Sequence, residues 1–87
     1  MPKIIMYTTG FCPYCRMAEN LLRSRGGVEI EKIRIDLEVD QRAQMMGKTG
    51  RRTVPQIYIG ETHVGGYDDL AKLDHKGGLV ELLAINN

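Results

Sequence analysis

Lys3-Ile4-Ile5-Met6-Tyr7-Thr8-Thr9-Gly10-Phe11-Cys12-Pro13-Tyr14-Cys15 is the stretch that decides the reading of this chain. Lys3 to Thr8 is a short β-branched and aromatic run, which predicts a buried strand. Thr9, Gly10 and Phe11 read as a loop. Pro13 suits the first turn of a helix, where its missing N–H costs nothing. Cys12 and Cys15 are the only 2 cysteines. A pair at this spacing can close a disulfide locally and open it again, but the loop it closes is too short to staple distant parts of a fold. A closed zinc site needs four ligands. Here there is no second cysteine pair, and His63 and His75 lie far downstream. Cys-x-x-Cys beside a βαβ pattern, without a secretion signal, therefore reads as a redox motif.

Working outward, Met17, Ala18, Leu21 and Leu22 recur at helical spacing, and Gly26-Gly27 stops that helix. Val28 to Ile35 alternates, with a slip at Glu31-Lys32, and predicts a partly exposed strand. Asp36 to Gly50 reads as an acidic entry, a helix and a glycine exit. Asp40 is its expected cap, with Val39, Ala43 and Met46 facing the core and Met45 as core filler. Val54 to Ile59 is a strand opened by proline. Gly60-Glu61 turns it into Thr62-His63-Val64, which closes a hairpin. Gly65-Gly66 breaks that strand, and Asp68 or Asp69 caps a helix carrying Leu70 and Leu73. Gly77-Gly78 precedes a last apolar helix with Leu79, Leu82, Leu83 and Ile85. The order β-α-β-α-β-β-α-α starts with a right-handed parallel βαβ unit and ends with an antiparallel hairpin. It predicts an α/β fold with a mixed four-stranded sheet and helices on both faces.

The 87 residues are read as a single domain, 1–87. The hydrophobic fraction of 43% is ordinary for a folded chain. A net charge of +1 gives no reason to expect nucleic acid or an anionic membrane as partner. No apolar run approaches the roughly 20 residues that span a bilayer. Met1 to Tyr7 is too short and too quickly polar for a signal peptide. The cytoplasm, a reducing compartment, is the expected location, and a cycling dithiol suits it.

Three segments together resemble the glutaredoxin family. They are Tyr7-Thr8 with Cys12-Pro13-Tyr14-Cys15, then Thr53-Val54-Pro55-Gln56-Ile57, then Gly65-Gly66-Tyr67-Asp68-Asp69-Leu70. The resemblance covers nearly the whole chain. It implies a thioredoxin-like fold and glutathione-dependent thiol–disulfide exchange by a dithiol member. It also implies a cis bond before Pro55, facing the redox pair. Glutathione is then a reductant and co-substrate, with no tightly bound cofactor and no metal. The implied partners are disulfide-containing or glutathionylated proteins, and the chain is expected to be a monomer.

The residue chemistry agrees. A thiolate, not a thiol, attacks a disulfide. Cys12 falls where the first helix begins, near its positive dipole end, which favours the thiolate. Cys15 lies one turn inside. Cys12 is thus the expected nucleophile and Cys15 the resolving thiol, and the pair forms the Cys12–Cys15 disulfide. Tyr14 flanks the site. The Val54 backbone, presented by Pro55 and next to Thr53, can pair with an extended cysteinyl unit as an added strand does. Gly65 and Gly66 permit close backbone approach, and the helix that follows offers N–H groups to a carboxylate. Asp68 can hold the γ-glutamyl ammonium, and Arg51 the glycyl carboxylate. The expected glutathione set is therefore Tyr14, Arg51, Thr53, Val54, Pro55, Gly66, Tyr67 and Asp68.

Blander readings stand beside these. Arg51 and Arg52 also read as solvated charge, and Asp68 as a plain helix cap. Tyr7 and Tyr58 read as sheet packing, His63 as a solvent-facing strand residue, and His75 as a cation at a helix C-terminus. Two positions depart from the family pattern. Thr9 stands where many relatives carry lysine, a loss that Arg52 would offset, and Tyr67 stands where many carry cysteine. These departures keep open one alternative, a glutaredoxin-like dithiol reductase served by thioredoxin reductase; a glutathione-ligated iron–sulfur carrier is a second alternative. Pro13 weighs against the carrier.

Overall fold

The computed structural model describes residues 2–85. The elements are β1 (Ile4–Thr8), α1 (Pro13–Ser24), β2 (Ile30–Arg34), α2 (Val39–Thr49), β3 (Gln56–Ile59), β4 (Thr62–Gly65), α3 (Tyr67–His75) and α4 (Gly78–Ala84). This is the expected order. The sheet runs β2-β1-β3-β4. β1 pairs in parallel with β2, from Ile4 opposite Ile30 to Thr8 opposite Arg34. β1 with β3 and β3 with β4 are antiparallel. One residue of β4, Val64, is bulged, because Ile57 pairs with Gly65 while Tyr58 pairs with His63.

Side chains alternate across a strand, so β1 serves two cores. Ile4 and Met6 point to one face. There they join Ile57 and Ile59 of β3 under Ala18 and Leu22 of α1, Leu70 of α3, and Leu79 and Leu83 of α4. Ile5 and Tyr7 point to the other face, where Ile35, Met45 and Met46 pack with Ile33 and Tyr58. Helices thus lie on both faces, three on one and α2 alone on the other. Val54 touches both clusters. Tyr7 and Tyr58 meet edge to face with ring centroids 6.5 Å apart, so both are packing residues as expected.

Several local expectations need correction. Met17 is exposed on α1, and the buried stripe there is Cys15, Ala18 and Leu22. On α2 the buried residue is Met45, while Val39 and Ala43 are exposed. Adjacent Met45 and Met46 allow two phasings of that helix, and the sheet selects the Met45 phase. The cap of α2 is Glu38 without a side-chain bond, and Asp40 lies inside the first turn. β2 begins at Ile30, leaving Val28 exposed, and Ile85 lies just past α4 and is exposed. No described helix is long and apolar enough to cross a membrane.

Candidate active site

Cys12 is the N-cap of α1, in extended backbone, with Pro13 following at the first helical position. Its sulfur is bonded to that of Cys15, with Cα atoms 5.2 Å apart, a normal disulfide separation. The Cys12 Sγ also accepts the Cys15 N–H at 3.1 Å. A first-turn helix N–H has no intrahelical acceptor; here it is satisfied by sulfur. After reduction the same N–H and the helix dipole favour negative charge at this position. The two sulfurs differ in access. Cys15 is buried in the core against α1 and the sheet, whereas Cys12 is only partly covered. Phe11 and Tyr14 stand exposed beside Cys12.

The loop before Cys12 is braced from β2 and the turn that follows it. The Gly10 N–H donates to Asp36 Oδ2 at 3.1 Å. Asp36 is in turn held by a two-pronged Arg34 guanidinium at 2.8 and 2.7 Å. That guanidinium holds the Asp36 carboxyl well below the usual carboxylate range. The Thr9 hydroxyl donates to the Phe11 carbonyl at 3.4 Å. The bracing by Asp36 is a tertiary contact that its sequence neighbours do not reveal.

The Val54–Pro55 bond is cis. The Val54 carbonyl oxygen lies 4.0 Å from Cys12 Sγ. Next to it opens a cavity of about 310 Å³, and all eight residues of the expected binding set line it, with Asp69 as a ninth. Tyr14 and Tyr67 face each other there, ring centroids 6.1 Å apart and tilted by 37°. A Cβ on Gly66 would sit 3.4 Å from the Pro55 carbonyl, so the two walls of the cavity approach closely at this point.

Asp69, not Asp68, satisfies the start of α3. Gly66 is the N-cap and has no side chain to offer, and its own N–H donates to Asp69 Oδ2 at 3.0 Å. The same oxygen receives Arg51 Nη1 at 2.7 Å. Arg51, expected as a solvated charge or a ligand contact, is thus already paired within the protein. The guanidinium first, and the Gly66 N–H second, lower the Asp69 pKa from its ordinary value. Gly65 makes the arrangement feasible. It has φ +114°, and a Cβ there would run into the Asp69 carboxylate. The signal available in the sequence was an acid three residues after a candidate glycine cap. Asp68 and Arg52 are exposed.

His63 also departs from expectation. It is half-buried, stacks on Tyr58 at 5.0 Å and bonds to Gln56. Burial first, and then the Arg51 charge, lower its pKa, with Asp69 opposing.

The family model Glutaredoxin matches residues 4–64. A glutaredoxin of Neisseria meningitidis serogroup A is 51% identical over 83 residues, covering 95% of this chain and 98% of that protein. The solution structure of glutaredoxin from Brucella melitensis matches with a TM-score of 0.83 at 44% identity, over 95% of this chain and 89% of that one. The crystal structure of a buckwheat glutaredoxin–glutathione complex matches with a TM-score of 0.84 at 30% identity, over 94% and 76%.

Proposed function

The chain belongs to the glutaredoxin family and is a thiol–disulfide oxidoreductase of thioredoxin-like fold; from that premise we propose that glutathione is its reductant and that the cavity beside Cys12 is the glutathione site. The observation that carries this reading is the convergence of Tyr14, Arg51, Thr53 to Pro55 and Gly66 to Asp68 on one cavity next to an accessible helix-capping sulfur. The buckwheat relative is a glutathione complex of the same fold.

In the proposed cycle the Cys12 thiolate attacks the glutathione sulfur of a glutathionylated protein. A Cys12–glutathione disulfide forms and the protein leaves as its thiolate. A second glutathione thiolate then attacks the glutathione sulfur, releasing glutathione disulfide and regenerating the Cys12 thiolate. With a protein disulfide, Cys12 forms a mixed disulfide with one protein sulfur. Cys15 displaces that sulfur by attacking Cys12, which reduces the protein and leaves the Cys12–Cys15 disulfide. Two glutathione molecules reduce that bond. The N–H groups of α3, the Val54 backbone and the Asp68 carboxylate suit the polar groups of glutathione, and Tyr14 and Tyr67 flank its peptide body. The protein acts as a monomeric single domain in the cytoplasm, on disulfide-containing or glutathionylated proteins, with glutathione as co-substrate and no resident cofactor.

The test is a coupled assay on a small disulfide. Turnover with glutathione and glutathione reductase, and little with thioredoxin reductase alone, is expected. The reverse pattern overturns glutathione as the donor.

A further inference from the structure

A fully buried amide stands behind the candidate cavity. Gln56 has no exposed surface, and a buried amide without partners is costly. Its two ends are committed in opposite directions. Nε2 donates to the Thr53 carbonyl at 3.0 Å and approaches Thr53 Oγ1 at 3.4 Å. Oε1 lies 2.8 Å from His63 Nε2, and because an amide oxygen can only accept, this contact requires the His63 tautomer that carries its proton on Nε2. The bonds run from β4, through β3, to the loop that carries the cis Val54–Pro55 bond.

Neither Gln56 nor His63 lines the cavity, but Thr53 does, and Val54 follows it. An amide can present either edge. Turned over, Oε1 of Gln56 would face the Thr53 carbonyl, acceptor against acceptor. The Thr53 carbonyl can only accept, so it holds Nε2 toward the loop and leaves Oε1 for His63, which then donates from Nε2. The imidazole is itself held, stacked on Tyr58, whose ring also carries Lys48 Nζ at 4.6 Å from its centroid.

We propose that His63 and Gln56 are positioning residues that hold the Thr53–Val54 backbone at the spacing a thiol-bound substrate needs. This rests on reading the cavity as the glutathione site. The substrate would meet this segment through its main chain, whereas the reacting sulfur is set separately, by Cys12 at the start of α1. A loosened loop therefore costs binding and leaves the chemical step almost untouched. That pattern is a raised KM at constant kcat.

The test uses His63→Phe, which keeps a ring over Tyr58 and removes the donor, and Gln56→Met, which keeps the length and removes both bonds. Each is expected to raise KM for a glutathionylated peptide about fivefold to tenfold with kcat within about twofold. Residues acting in one chain are not additive, so the double variant should be no worse than the worse single one. His63→Gln restores an N–H donor and should recover part of the loss. The Cys12 alkylation rate should stay unchanged, and the amide resonances of Thr53 and Val54 should shift. If Gln56→Met unfolds, His63→Phe decides alone. An unchanged KM in His63→Phe, or fully additive effects, overturns the inference. If the wild-type protein does not turn over the glutathionylated peptide, the glutathione reading falls. The Thr53 and Val54 resonances of His63→Phe then decide, and unmoved resonances overturn the positioning role.

Discussion

Arg51 and Asp69 are 18 residues apart in sequence and 2.7 Å apart in space. The contact joins the loop that leads into Thr53-Val54-Pro55 to the first turn of α3, the two walls of the candidate cavity. Both side chains are substantially exposed, at 47% and 38%, and exposed pairs add little stability. The value of this pair lies in geometry: it orients the guanidinium and fixes the Gly66 N–H before any ligand arrives.

Losing the Asp69 charge should show most clearly as a pH effect. A carboxylate whose pKa is depressed in the folded state stabilises it above the unfolded value, near 4, and loses that contribution as pH falls through the folded value. The melting-temperature gap between wild type and Asp69→Asn should be widest at neutral pH and narrow below about pH 4. A gap that stays constant from pH 7 to pH 3 would contradict the ion pair.

Asp68→Asn tests the neighbouring carboxylate. Asp68 does not cap α3, so melting temperature should hardly change. A charge-assisted hydrogen bond contributes about 1.5–3 kcal/mol, and exposure reduces it. Loss of such a bond to the γ-glutamyl ammonium should lower kcat/KM on glutathionylated substrates roughly tenfold. A disulfide without a γ-glutamyl group should be reduced as before. Equal loss on both substrates would remove Asp68 from the site.

Cys12→Ser should abolish all exchange. Cys15→Ser should lose reduction of protein disulfides but keep deglutathionylation, where glutathione resolves the intermediate. Assays of both variants on both substrates settle the division of labour, and identical losses would refute it.

In the reduced protein, iodoacetamide at neutral pH should label Cys12 well before Cys15. The reasons are the Cys15 N–H at 3.1 Å from Cys12 Sγ and the burial of Cys15. Peptide mapping reads the order, and faster labelling of Cys15 would reverse the assignment.

Gly65→Ala should destabilise the protein by more than about 1 kcal/mol, since alanine is strained at positive φ. Its methyl would also crowd the Arg51–Asp69 contact. Chemical denaturation measures the cost, and a neutral result would show that the turn relaxes freely.

The sequence exposed the frame of this molecule because its punctuation is explicit. Pro13, Gly26-Gly27, Pro55, Gly60 and Gly65-Gly66 mark element ends, and Ile4 to Tyr7 is an unbroken apolar run, as a strand with two covered faces requires. The Cys pair and seven of the eight cavity residues were legible because each lies in a recognisable short segment; the eighth, Arg51, stands just ahead of one. What stayed hidden depends on contacts between segments. The phase of α2 is ambiguous from Val39, Ala43, Met45 and Met46 alone, and only the sheet resolves it. Asp68 and Asp69 read as equal candidates for the cap until Arg51 arrives from another loop to pair with Asp69. His63 looks solvent-facing until Gln56 and Tyr58 flank it.

The uneven covering of the sheet has a consequence for motion. Met45 is the only fully buried side chain of α2, while the opposite core draws on three helices. Segments with few buried contacts open at lower cost than the whole molecule. Amide protons of α2 should therefore exchange with solvent through local opening, while Cys15 remains locked among Ala18, Leu22 and the strands. Val54 belongs to both clusters, so it is the point at which breathing of α2 reaches the redox centre.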